Sequence, residues 1–401
     1  MKVRNSVLIL ILITLAFFGC DGGKGGNGDN SDKKERLYAR MEAHTKAVFE
    51  HYGDRIEWWD VCNEVIDHDD YKSGGARKDS DYTKIMESAG LSGMDRFEYV
   101  LKAFQWARQY ADEYGEPGKV KLYLTDYGVE RPFGNGPGSK QQCLSDLVDW
   151  LIEKDAPIDG VGFQGHFRLK DHPVEEISEG IDKFAKKTRN GTPIKIQVCE
   201  LDFSAYSNHY GDNSATSISP ETLPGRLSDL ADNYGDFFDM FEEKFKAGKL
   251  DMVLIWGVDD GHSWLNDHPV KGRTDYPLLF GRDYKAKAAF KKVFGTDADT
   301  GFENTRSFKI GVAVPGANTS NAENNNALAA GNPQNDLLKY FDVYVAENEM
   351  KPENIMPAQE GGSYNWTNAD ALVKYADDNG KKPVRGHTLF WHSQTPDWFF
   401  K

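Results

Sequence analysis

IEWWDVCNE, residues 56–64, is a short apolar run that closes on an amide and a carboxylate. Its length and its bulky residues read as a buried strand rather than a helix. Glu64 then stands where a charge is costly unless it is paired or used. Working outward, ERLYARMEAHTKAVFEHYG precedes the strand, with Leu37, Met41, Val48 and Tyr52 at near-helical spacing and Gly53 closing the helix. After it, apolar runs and helical stretches alternate. Strands are expected at 120–127, 159–166, 194–203, 251–260, 308–314, 342–350 and 383–392. Helices are expected at 97–114, 140–155, 174–188, 227–247, 284–294, 335–341 and 368–380. This alternation implies a parallel sheet with helical crossovers, and eight strands match a closed (β/α)8 TIM barrel. An open doubly wound sheet is the alternative, but no GxGxxG follows a first strand and no phosphate loop is present.

Most of these strands end on polar groups: Asn63 and Glu64, Asp126 and Tyr127, Gln164 and His166, Glu200 and Asp202, Asp259 and Asp260, Glu347 and Asn348, His387 and His392. Barrel enzymes carry their sites at the C-terminal ends of the strands. The formal charge of −15 disfavours nucleic acid or an anionic membrane as the main partner. Nine Trp and 18 Tyr suit core packing, and also stacking on flat faces such as sugar rings.

The N-terminus reads as an export signal. MKVRN is basic, SVLILILITLAFF is apolar, and Gly19 precedes Cys20, a pattern similar to a bacterial lipoprotein signal at 1–19 with Cys20 as the lipidated residue. An uncleaved anchor is the alternative. Residues 20–34 are rich in Gly, Asp and Lys and read as a flexible tether. The catalytic barrel is expected at 35–401. Cys62, Cys143 and Cys199 show no metal spacing and read as free, buried thiols.

Glu64 and Glu200 each close an apolar strand, with no basic partner near them in sequence. Two such carboxylates in one barrel point to paired-carboxylate chemistry, of which glycoside hydrolysis is the leading class. WDVCNEV (59–65), GVGFQGH (160–166), VCELD (198–202), WGVDDGHSWL (256–265), AENEMKP (346–352) and GHTLFWHSQTPDW (386–398) together resemble glycoside hydrolase family 10, the retaining endo-β-1,4-xylanases. The resemblance implies Glu64 as general acid/base, Glu200 as nucleophile and His166 as the residue that hydrogen-bonds it. It implies glycone-side sugar contacts from Glu347, Asn348, Lys351, Trp391 and Gln394. It gives His387 and Asn63 contacts to the sugar at the cleavage point, and makes Trp256 and Trp264 aromatic walls. Tyr127 and Gln164 join the substrate-binding set, with Asp60 and Asp202 in support. The retaining reading predicts carboxyl groups roughly 5–5.5 Å apart. Thr125 and Gly128 depart from the family's pattern beside Asp126–Tyr127, which puts aglycone-side loop contacts in doubt. No cofactor or metal is implied. The expected partner is xylan or a xylo-oligosaccharide met by an exported monomer, held to the bacterial outer membrane or cell surface only by its lipid. A β-1,4-glucanase on the same scaffold and a non-catalytic surface glycan-binding lipoprotein are the alternatives.

The order of these motifs departs from the family. ENEMK and GHTLFWH normally precede WDVCNE, and here they follow everything else. No strand is duplicated or missing, which argues for a circular permutation joined through residues 295–307; a gene-assembly error is the alternative. That segment can span up to about 43–47 Å when extended. The closing stretch 386–401 should therefore line the cleft, with Lys401 near the helix at 35–52.

Overall fold

Strands whose residues are buried along nearly their whole length need cover on both faces, and a closed parallel barrel wrapped in helices supplies it. The structure is a computed structural model that describes residues 28–67, 75–132, 139–298, 302–316 and 326–401. Eight parallel strands form the barrel: β1 Trp58–Asn63, β2 Lys121–Asp126, β3 Gly160–Phe163, β4 Lys195–Ser204, β5 Leu250–Ile255, β6 Lys309–Val314, β7 Val343–Ala346 and β8 Val384–Gly386. Each pairs with the next, and β8 closes on β1 through Trp58–Arg385 and Trp59–Gly386. Two short extensions continue the upper rim. His166–Arg168 pairs with the end of β4, and Phe390–Trp391 with the end of β1.

The period of two along each strand divides the core into two layers. On β5, Met252 and Leu254 face the barrel axis, joined there by Trp256, while Val253 and Ile255 face the helices. β7 repeats this, with Val343 and Val345 inward and Tyr344 and Ala346 outward. Helices cover the outer layer: α1 Gly28–Tyr52, α2 Asp81–Ser88, α3 Glu98–Tyr114, α4 Lys140–Glu153, α5 Val174–Ala185, α6 Leu223–Lys246, α7 Ala288–Phe294, α8 Pro333–Leu337, α9 Pro352–Ile355 and α10 Thr367–Asp378. Leu37, Met41, Val48 and Tyr52 of α1 all lie in this layer.

The signal segment 1–19, Cys20, the tether as far as residue 27 and residues 299–301 of the join lie outside the described residues. The rest of the expected tether is corrected: residues 28–34 belong to α1. Their composition disfavours a helix, but they extend one already anchored on α3, where Lys34 Nζ sits 3.3 Å from Glu98 Oε2. The chain's last residues dock on the same helix. Arg40 donates to the carbonyls of Phe399 (3.2 Å) and Lys401 (2.5 Å), and Phe399 is buried.

The candidate active site

Glu64 follows β1 with φ at 56°, a left-handed conformation that non-glycine residues adopt at a cost, most often at functional sites. Its amide still pairs with the Thr125 carbonyl of β2 at 2.9 Å, so the turn redirects the side chain without detaching the chain from the barrel. Gln164 Nε2 donates to Glu64 Oε1 at 2.9 Å, and Trp391 Nε1 donates to Oε2 at 3.0 Å. Asn63 is buried, and its Oδ1 accepts from Thr125 Oγ1 (2.9 Å) and Gln164 Nε2 (3.3 Å).

Glu200 sits within β4, and its amide donates to the Gln164 carbonyl at 2.8 Å. Gln164 therefore ties the two carboxylate-bearing strands together. His166 Nε2 lies 3.2 Å from Glu200 Oε2, and His166 Nδ1 lies 3.0 Å from Asp202 Oδ2. Trp264 Nε1 also donates to Asp202 Oδ2, at 2.8 Å. Burial disfavours charge on His166, but the Asp202 and Glu200 carboxylates outweigh it and raise its pKa to about 10. It is an imidazolium at neutral pH, donating from both nitrogens. Burial pushes the Glu200 carboxyl up, but the His166 hydrogen bond and the charges of His387, His166 and Lys351 prevail and hold it below its ordinary range. Glu200 is thus a carboxylate at neutral pH. Its Oε1 is buried with no hydrogen-bond partner among the described residues.

His387 is oriented from beneath. Asp60 Oδ2 lies 2.8 Å from its Nδ1, and its ring meets Trp256 edge-on at 5.4 Å. Asp60 also accepts two bonds from Arg385, both side chains being fully buried. On the other rim, Lys351 Nζ donates to Asn348 Oδ1 at 2.9 Å and stands 4.9 Å from the Trp391 ring centre. Burial and the neighbouring Glu349 charge raise the Glu347 carboxyl to about 7. Gln394 is left-handed, with φ at 45°, and its carbonyl accepts from Glu353 N at the start of α9 at 2.7 Å.

The sequence-derived residues thus gather at one end of the barrel. Tyr127 is tied to a buried ion pair there: its ring lies 3.2 Å from Lys140 Nζ, which bonds Asp126 at 2.7 Å. Three features escaped the sequence reading. Glu64 does have a basic neighbour, since Arg77 Nη1 lies 3.7 Å from its Oε2, brought back by the loop after β1. His392 Nδ1 stands 3.8 Å from the same oxygen. His268 is exposed but stacks on Trp264 at 4.9 Å. The charged Arg385 inside the apolar run PVRGH was the one available signal for the buried pair with Asp60.

The site can polarise one carboxylate as a nucleophile and hold a second in N–H bonds, with aromatic rings as walls. The chain as a whole is similar to known proteins. The profile of glycosyl hydrolase family 10 matches residues 25–296 and 303–401. Endo-1,4-beta-xylanase C of Paenibacillus barcinonensis is 34% identical over 259 residues, 64% of this chain and 22% of that protein. A thermostable celloxylanase of Thermoclostridium stercorarium is 36% identical over 261 residues, 64% of this chain and 57% of that protein. The chain therefore spans less than two thirds of the length of these curated relatives. Among solved structures, a GH10 protein from Paenibacillus barcinonensis matches with TM-score 0.52 and 32% identity, covering 65% of this chain and 67% of that one. Xylanase B from Clostridium stercorarium F9 matches with TM-score 0.52 and 34% identity, covering 66% and 69%. With its barrel, its paired glutamates and a family profile that matches most of its length, the chain belongs to glycosyl hydrolase family 10.

Proposed function

We propose that the protein is a retaining endo-β-1,4-xylanase. The observation that carries this reading is the contrast between the two glutamates. Glu200 is held ionised against an imidazolium with one oxygen unbonded, as an attacking carboxylate must be. Glu64 is held by two N–H donors from Gln164 and Trp391, and its role requires both proton states. In the first step Glu200 Oε1 attacks the anomeric carbon while Glu64 gives its proton to the departing oxygen, which leaves as an alcohol. In the second step Glu64, now a carboxylate, takes a proton from water as that water's oxygen displaces Glu200. His387, fixed by Asp60, and the Trp256 and Trp264 rings bound the sugar at the cleavage point. Glu347, Asn348, Lys351 and Gln394 bind the next sugar on the glycone side.

The test is incubation with a 2-deoxy-2-fluoro xylobioside bearing a dinitrophenol leaving group, followed by peptide mass analysis. The added mass should sit on the peptide containing Glu200, and turnover of xylan should exceed turnover of carboxymethylcellulose. An adduct elsewhere, or hydrolysis of neither polymer, would overturn the reading.

We also infer that the barrel is circularly permuted. Segment 308–392 supplies strands that precede WDVCNE in the family's usual order, and β5 pairs with β6 across the join at 295–307. The docking of Phe399 and Lys401 on α1 supports the same reading. So do structural matches that stop at 65–66% of the chain. A rearranged chain carrying 308–401 before 28–294 should fold to the same circular dichroism spectrum and keep activity. Tandem mass sequencing of the native protein that finds no peptide running through residues 295–307 would refute the inference.

A further inference from the structure

Glu64 and Glu200 stand on different strands, yet one three-residue segment serves both. Gln164 holds Glu64 Oε1 through its side chain and the Glu200 amide through its carbonyl. His166 holds Glu200 Oε2 and Asp202 Oδ2 through its ring. Between them Gly165 is left-handed, with φ at 78°, and a Cβ there would lie 2.7 Å from Val198 Cγ1. The turn interrupts the ladder: β3 pairs with β4 as far as Phe163, and pairing resumes at His166. The Gly165 amide must therefore find its acceptor outside the strands, since a buried N–H without one is expensive. Glu130 Oε1 accepts it at 2.9 Å. Glu130 reaches it from the loop after β2, where it is buried. That loop is pressed against α5, since a Cβ on Gly180 would stand 1.8 Å from the Glu130 carbonyl oxygen. Two glycines thus make the slot that seats this one carboxyl group.

We propose that Glu130 is a positioning residue: its carboxyl oxygen, through the Gly165 amide, fixes the segment that orients both Glu64 and Glu200. The inference rests on those two glutamates being the catalytic pair. Without the acceptor, the Gly165 peptide is free to turn, and Gln164 and His166 move with it. Both glutamates then lose their alignment together, so both steps of the reaction slow.

The experiment compares wild type with Glu130→Gln, Glu130→Asp and Glu130→Leu. Glutamine keeps an acceptor at the same reach. Aspartate keeps the charge but draws the acceptor back by one methylene, and leucine has neither. Active sites are counted by the dinitrophenol released from the 2-deoxy-2-fluoro xylobioside, so that kcat refers to folded enzyme alone. With phenyl and dinitrophenyl xylobioside alike, kcat per site should fall about 10- to 100-fold in Glu130→Leu and Glu130→Asp. Glu130→Gln should stay within about threefold of wild type. The far-downfield proton signal of the His166 ring, identified by its loss in His166→Asn, should shift in Glu130→Leu and hold in Glu130→Gln. A kcat per site within about twofold of wild type in both Glu130→Leu and Glu130→Asp would mean that Glu130 only stabilises its loop. A Glu130→Gln as slow as Glu130→Leu would mean that the charge near His166 matters and not the acceptor. A loss confined to one substrate would mean that the segment serves only one glutamate. Each of these results would overturn the proposal. If the fluoro sugar labels wild type elsewhere than Glu200, the catalytic pair itself is wrong, and the His166 signal still decides whether Glu130 fixes the segment.

Discussion

Asp60→Asn should be among the most damaging isosteric changes outside the cleft. Asp60 and Arg385 face each other with both side chains fully buried, and Asp60 also holds Nδ1 of His387 at 2.8 Å. Asparagine keeps the volume but loses the charge, and at least one of its amide hydrogens must face another donor. Arg385 would keep its bond to Gln197 Oε1, at 2.9 Å, and at most one bond to the remaining amide oxygen. Removing one partner from a buried pair costs about 3–5 kcal/mol, because the remaining charge is uncompensated. A chain of 401 residues has an unfolding entropy of roughly 0.8 kcal/mol per degree, so the loss should lower Tm by about 5 °C. Urea denaturation should show the midpoint falling with an unchanged slope. Activity should fall further than stability, because His387 loses the group that orients it. The double variant Asp60→Asn/Arg385→Met removes both charges and should recover most of the stability but not the activity. A Tm within about 1 °C of wild type in Asp60→Asn, or a double variant no better than the single, would refute the reasoning.

Three further outcomes follow from the same geometry. His166 has its pKa raised to about 10 when folded, against about 6.5 unfolded. Its contribution to stability is therefore complete below about pH 6.5 and lost as pH rises through the folded value. Tm measured between pH 6 and 10 should slope downward in wild type, and less so in His166→Asn. Glu64→Ala should keep measurable turnover of dinitrophenyl xylobioside, and added azide should speed it by intercepting the glycosyl-enzyme, giving a β-xylobiosyl azide detectable by NMR. Cys62 and Cys199 lie beside Glu64 and Glu200 in the chain, yet both are fully buried and burial pushes their thiols well up. A thiol titration of folded protein should label neither, and activity should survive it.

What was legible in the sequence follows from which forces are local. An apolar run closed by a polar pair marks a barrel strand and the end of it that carries chemistry, so Glu64, Glu200, His166 and His387 could be placed before any coordinates. Strand ends were less legible. The stretch 383–392 divides into Val384–Gly386 and Phe390–Trp391, because the residues that serve the site leave the ladder to reach it. The start of α1 was misread for a related reason, since the composition of residues 28–34 opposes a helix that packing on α3 supports. Closure was the least legible of all. Alternation says that Arg385 points inward or outward, but only the barrel's shear decides that it meets Asp60, 325 residues away, and Gln197 on a third strand. The same holds for Arg77. Nothing in GGARKDS announces that the loop folds back until its guanidinium lies beside Glu64. The reactive groups of this barrel could be read from single strands, whereas the charges that tune them belong to the contacts between strands and loops.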